Sequence, residues 1–301
     1  MASTKTEVAH DFHPWFRVYK DGHVERFLGR PSVPPSDDRQ TAAVRSKDVT
    51  VSNTASARLF LPKATAPHEK LPFVIYIHGG AFSIESAFSS LYHNYLNSSS
   101  TNAASSRLAP EHPLPACYDD CYAVMKWVAQ HNGGRPGSET GPDPWLNDHA
   151  DFGKVYLAGD SAGANLAHNM VVRADGDRLM KISGLVLIHP FFGNEEPTKL
   201  WEFICSDSGG VNDPRLNPGA HPGLLSKLGC EKVLILTASK DFIRERGRSY
   251  CEALRGSGWR GAVETEGEEH VFHLFKPTSE KAKAMMRCLV SFINPTSAPS
   301  A

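Results

Sequence analysis

Ser161 sits in Gly159-Asp160-Ser161-Ala162-Gly163, with the β-type run Val155, Tyr156, Leu157 before it and a helix-favouring stretch after it. A serine on a tight strand-to-helix turn is pushed out above the end of a sheet, where a histidine can reach its hydroxyl. Residues two away on each side must be nearly free of side chain, because strand and helix crowd there; Gly159 and Gly163 meet that demand. A serine hydroxyl is a weak nucleophile unaided, so it needs a base, and the base needs a group to orient it. His270, in the loop behind Gly267-Glu268-Glu269, and Asp241, just past the apolar run Lys232 to Thr237, are the candidates. His273 is a rival base; His270 is preferred because it comes first after the preceding strand. A metal pair made of His270 and His273 would lack a third ligand nearby.

The chemistry these residues could do is acyl transfer. Ser161 Oγ attacks, His270 takes its proton and returns it to the leaving alcohol, and Asp241 holds the imidazole tautomer and stabilises the imidazolium. The negative oxygen that develops needs N–H donors about 3 Å away. Two glycines follow the run Leu71 to Ile77 in His78-Gly79-Gly80, so the N–H groups of Gly79, Gly80 and Ala162 are the expected oxyanion donors. This chemistry requires no cofactor and no metal.

The elements that must position these groups alternate between strand and helix patterns. Leu71 to Ile77, Ile182 to Ile188 and Lys232 to Thr237 are continuous apolar runs, as expected of parallel strands buried on both faces. Ala57 to Leu61 and His23 to Leu28 read as strands near a sheet edge, and Ala262 to Thr265 as a short strand. Helical spacing covers Ala116 to Gln130, Ala162 to Arg173 and Ser279 to Ile293. Residues 30–48 and 133–144 read as loops. The aromatic segment 1–22 is expected to be an arm or lid over the pocket, and the Pro/Gly-rich segment 191–223 a cap or pocket wall. His189, followed by Pro190, Phe191 and Phe192, reads as a structural residue.

Composition narrows the class further. The chain has 301 residues, 41% hydrophobic and 22% charged, with a net charge of −1. It fits one large α/β domain, 1–301, with neither nucleic acid nor membrane as partner. The N-terminus shows no apolar signal segment, so a cytoplasmic location is expected. The six cysteines read as reduced thiols, including Cys117 and Cys121, whose spacing alone could be half a metal site.

These residues carry a resemblance. The chain resembles the plant carboxylesterases of the hormone-sensitive-lipase type, relatives of the gibberellin receptors, within the α/β-hydrolase fold. The matching segments include A-H-D-F-H-P-W-F-R-V-Y-K-D-G (9–22), I-H-G-G-A-F (77–82), R-L-A-P-E-H-P-L-P-A-C-Y-D-D (107–120), A-G-D-S-A-G-A-N-L-A-H (158–168) and E-G-E-E-H-V-F-H-L-F (266–275). The resemblance implies hydrolysis of small-molecule esters by Ser161, Asp241 and His270. Receptors of this group lack the catalytic histidine, which this chain retains; the dehydratases of the same group remain an alternative activity.

One segment departs from the pattern. Where the family has a buried apolar strand, residues 98–106 read Ser-Ser-Ser-Thr-Asn-Ala-Ala-Ser-Ser. Losing about five large buried side chains at ~1.5–3 kcal/mol each removes roughly 7–15 kcal/mol, the whole ~5–15 kcal/mol net stability of a typical domain. The expectation is a degraded or missing interior strand, with poor folding or impaired activity. The cap after Phe192 also reads as shortened.

Overall fold

The computed structural model describes residues 7–36, 43–99, 101–132, 143–193, 198–257, 262–265 and 268–295. The described chain begins with three strands, β1 (Val8–Phe12), β2 (Phe16–Tyr19) and β3 (Val24–Arg26), which form an antiparallel sheet of their own. Then follow β4 (Val44–Thr50), β5 (Ser56–Pro62), β6 (Leu71–Ile77), β7 (Asn102–Ser105), β8 (Ala150–Asp160), β9 (Gly184–Ile188), β10 (Val233–Ala238) and β11 (Ala262–Thr265). They make one eight-stranded sheet in the order β11-β10-β9-β8-β6-β7-β5-β4. Strands β11 through β7 run parallel, and β5 and β4 turn antiparallel at the edge.

The helices are α1 (Ser90–Ser99), α2 (Ala116–Gln130), α3 (Pro144–His149), α4 (Ala162–Gly176), α5 (Lys199–Ile204), α6 (Pro222–Leu225), α7 (Arg244–Gly256), α8 (Phe272–Phe275) and α9 (Glu280–Ile293). Side chains alternate across each strand, so the sheet builds two apolar layers. Ile75 and Ile77 of β6 join Met125 and Val128 of α2 and Ala164, Ala167 and Val171 of α4 in one layer. Val74 and Tyr76 join Tyr92, Tyr95 and Leu96 of α1 and Met285 and Leu289 of α9 in the other. A mostly parallel sheet covered on both faces is the predicted architecture, and it puts the carboxyl ends of β6, β8, β9 and β10 side by side.

The interior strand expected to be degraded or missing is present, but shortened. Strand β7 is four residues long and paired on both sides, with Tyr76 opposite Ala103 in β6 and Arg58 opposite Ala103 in β5. Ladder hydrogen bonds depend on the backbone, and Ala103 and Ala104 are each 1% exposed, so small side chains suffice. The shortfall is in length. Beyond β7 the gap between β5 and β6 holds a hollow of about 40 Å³ lined by Leu59, Leu61, Phe73, Asn102, Trp145 and Leu146.

Other expectations need adjustment. Residues 30–48 contain the start of β4, whose polar alternation marks an edge strand with Val44 and Ser46 buried and Lys47 and Val49 less so. Residues 1–22 include the β1–β2 hairpin; its exposed outer face hides the strand period. His23 to Leu28 contributes β3 to that small sheet, outside the main one. Segment 191–223 carries α5 and the first residues of α6. Most of the loop read at 133–144 lies outside the described residues.

Candidate active site

Strand β8 ends at Asp160 and α4 starts at Ala162, so the reversal falls on Ser161 alone, with φ 53° and ψ −120°. A positive φ is uncommon for a residue other than glycine and persists only where the surroundings enforce it. Here the Ser161 N–H donates to the Ile188 carbonyl at 2.9 Å, and the Ser161 carbonyl accepts from Phe191 N–H at 3.0 Å. The flanking glycines are required by contact. A Cβ on Gly159 would lie 2.5 Å from the carbonyl carbon of Gly163, and one on Gly163 would lie 2.6 Å from the His78 carbonyl oxygen.

The three side chains chosen from the sequence meet here. Ser161 Oγ lies 3.0 Å from His270 Nε2, and His270 Nδ1 lies 2.8 Å from Asp241 Oδ2. A carboxylate only accepts, so Nδ1 carries the proton and Nε2 is left to accept from the serine. Asp241 is fixed by its other oxygen, which accepts Ile243 N–H at 2.9 Å. Lys240 N–H donates to the Glu268 carbonyl at 2.9 Å and ties the aspartate loop to the histidine loop. The rival His273 points elsewhere. It is fully buried, edge-on to Tyr95 with ring centroids 4.9 Å apart, and burial pushes its pKa down to about 3.

Of the N–H groups of Gly79, Gly80 and Ala162 expected as oxyanion donors, that of Gly79 has an acceptor within the fold. Gly79 N–H donates to the Tyr92 hydroxyl at 2.8 Å and is therefore committed. Tyr92 in turn donates to the buried Asp160, which also accepts from the Tyr76 hydroxyl at 2.8 Å. Burial pushes Asp160 up to about 6. Among the described residues no acceptor is assigned to the N–H groups of Gly80, Ala81 or Ala162. Ala162 is the first residue of α4, where N–H groups have no partner inside the helix. Gly80 and Ala81 adopt φ of 104° and 54°, a tight backbone turn beside the serine. Tyr92 and Asp160 were not picked out from sequence; the carboxylate directly before Ser161 was the one visible sign.

His189, Asp241 and His270 also lie within 4.8 Å of one another, a spacing open to a metal ion. Their ligand atoms are already engaged, since His189 Nδ1 accepts Val271 N–H at 2.7 Å and Asp241 Oδ2 accepts from His270. Phe191, whose N–H donates to the Ser161 carbonyl, belongs to an aromatic cluster. Phe82 packs against Phe191 and Trp201 at centroid distances of 5.9 and 5.8 Å, and α5 meets the first hairpin through Phe203 and Phe12 at 4.7 Å. Among the described residues no helix is long and apolar enough to cross a membrane.

Known proteins share this fold. A family model described as alpha/beta hydrolase fold matches residues 74–275, and the chain belongs to that family. It is 42% identical to a protein named 2-hydroxyisoflavanone dehydratase from Glycyrrhiza echinata, over 97% of this chain and 98% of that one. It is equally 42% identical to "Probable carboxylesterase 5" of Arabidopsis thaliana, over 96% and 99%. Among solved structures, a hyperthermophilic esterase from Pyrobaculum calidifontis superposes with a TM-score of 0.65 at 29% identity, covering 84% of this chain and 87% of the other.

Proposed function

We propose that this chain is a serine carboxylesterase acting on small carboxylic esters. The observation that carries the reading is the continuous line from Ser161 Oγ through His270 to Asp241, with steps of 3.0 and 2.8 Å. His270 Nε2 takes the serine proton as Oγ adds to the ester carbonyl, and Asp241 stabilises the resulting imidazolium. The carbonyl oxygen, now negative, is received by the N–H groups of Gly80, Ala81 and Ala162. Each such donor is worth ~10²–10³ in rate. His270 then protonates the departing alcohol, leaving an acyl group on Ser161. Water activated by the same imidazole releases the acid. No cofactor is required. A cytoplasmic location belongs to the same reading, in keeping with six free thiols.

A dehydratase is the second reading, because identity to the Glycyrrhiza protein equals that to the Arabidopsis one. On that reading His270 removes a proton from carbon while the oxyanion donors polarise a carbonyl, and Ser161 is never acylated. A binder without chemistry has no use for a strained serine held 3.0 Å from an imidazole. Hydrolysis of p-nitrophenyl butyrate by wild type and Ser161→Ala separates these readings. An esterase loses ~10⁴-fold or more in kcat without its nucleophile; equal rates would refute the assignment.

A further inference from the structure

We propose that His189 is a positioning residue for His270, latching the histidine loop to the end of the sheet through its own side chain. The inference rests on the reading of Ser161, His270 and Asp241 as the catalytic groups, and adds a residue that touches none of the reacting atoms.

His189 follows directly on β9 and is fixed by its backbone before its side chain acts. Its N–H donates to the Leu236 carbonyl of β10 at 2.7 Å, while the carbonyl of the preceding Ile188 accepts Ser161 N–H at 2.9 Å. One dipeptide at the sheet end thus touches the serine turn and the strand that leads to Asp241. The third catalytic group is reached by the imidazole. His189 Nδ1 accepts the N–H of Val271, the residue next to His270, at 2.7 Å across 82 positions of sequence. The ring is 1% exposed and stacks on Phe272 at 5.8 Å between centroids.

The backbone at both ends of this bond argues for a function beyond packing. His189 has φ 46° and Val271 φ 45°. For a β-branched residue such as Val271 the left-handed region is a genuine outlier. Such conformations persist only where the surroundings enforce them, and they cluster at active sites. Reversing the chain at Val271 swings His270 back over Ser161, and the bond to His189 holds that reversal. Without it, His270 would keep Asp241 as partner, but its Nε2 would no longer be held against Ser161 Oγ. Misplacement of about 1 Å in such a group can cost ~10²-fold in rate.

The test compares His189→Asn, His189→Gly and His189→Gln in the full chain, with Ser161→Ala alongside. Asparagine carries an acceptor at the same distance along the side chain as Nδ1 and tolerates positive φ. Glycine tolerates the φ but has no acceptor; glutamine keeps the polarity with its acceptor one carbon too far. The readouts are kcat and KM for p-nitrophenyl butyrate and the rate of Ser161 labelling by a fluorophosphonate. Expected is a loss of about 100-fold in kcat and labelling for the glycine and glutamine variants, with KM little changed and most of the rate recovered in the asparagine variant. Wild-type rates in either non-accepting variant, or an asparagine variant as slow as they are, would overturn the latch. If the glycine variant does not fold, the asparagine and glutamine pair decides alone. Failure of the underlying reading is separate: it shows as undiminished hydrolysis by Ser161→Ala.

Discussion

The Gly79 N–H donates to the Tyr92 hydroxyl at 2.8 Å, and through that hydroxyl the turn after β6 is anchored to Asp160, the residue before the nucleophile. The turn after β6 and the serine turn are therefore held to one another by a buried polar cluster rather than by each loop's own stiffness. Removing the hydroxyl leaves a buried N–H without its acceptor and the carboxylate with one donor fewer. Tyr92→Phe should lower the unfolding free energy by about 1–3 kcal/mol. Its kcat should drop about 10- to 100-fold with KM nearly constant, as measured by urea unfolding and steady-state kinetics. An unchanged kcat would show that Gly79 needs no anchor.

The short interior strand makes a second prediction. Asn102 Oδ1 accepts Phe60 N–H at 2.9 Å, so a side chain satisfies a backbone donor of β5 where β7 has run out. Asn102→Ala should destabilise by about 1–3 kcal/mol, the usual cost of orphaning a buried donor. Thermal unfolding would show it, with little effect on KM because the hollow lies away from Ser161.

The glycine beside the nucleophile has no room to change. In Gly159→Ala the new methyl would sit 2.5 Å from the Gly163 carbonyl carbon and 2.9 Å from the Ala164 amide nitrogen. Both are backbone and cannot swing aside. A cost of at least about 1–3 kcal/mol is expected, together with loss of activity as Ser161 shifts from His270. A fully active, equally stable variant would contradict the crowding argument.

Stability should fall on acidification from pH 6.5. Burial pushes His168 and His273 down to about 3 from 6.5. The unfolded chain takes up those protons first, so the stability these histidines give is complete above 6.5 and is lost as the pH drops. Asp160, raised to about 6 from 3.8, works the other way: it is protonated first in the folded state and adds stability as the pH falls from 6 toward 3.8. Burial also holds His78, His93 and His189 below 6.5, so the histidines outweigh the opposite effect of Asp160 and of Glu85, which burial also raises, and stability falls as the pH drops. Urea unfolding at pH 7.5 and 5.5 measures it, and His168→Met should flatten the slope. Stability that rises on acidification would contradict it.

Much of this was legible because the demands are local. The G-x-S-x-G pentapeptide and the apolar runs of β6, β9 and β10 each state a requirement within a few residues. What escaped the sequence depends on partners far along the chain. Tyr92 reaches Gly79 across 13 positions and His189 reaches Val271 across 82, and no short pattern marks either. In residues 98–106 a short strand β7 forms where a missing one was also considered, for another reason. Apolar side chains signal burial, yet β7 is held by backbone bonds on both edges, and alanine is enough to fill the space left to it. The β1–β2 hairpin was obscured in the same way, since an exposed face shows no alternation to read.

On the proposed function, Ser161 is a nucleophile activated by His270. Incubation with a fluorophosphonate followed by peptide mass spectrometry tests it most directly. Expected are a single phosphonyl adduct on Ser161 in the wild type and labelling slower by ~10³-fold or more in His270→Ala. A wild-type protein that leaves Ser161 unmodified, or a His270→Ala variant labelled as fast as the wild type, would contradict it.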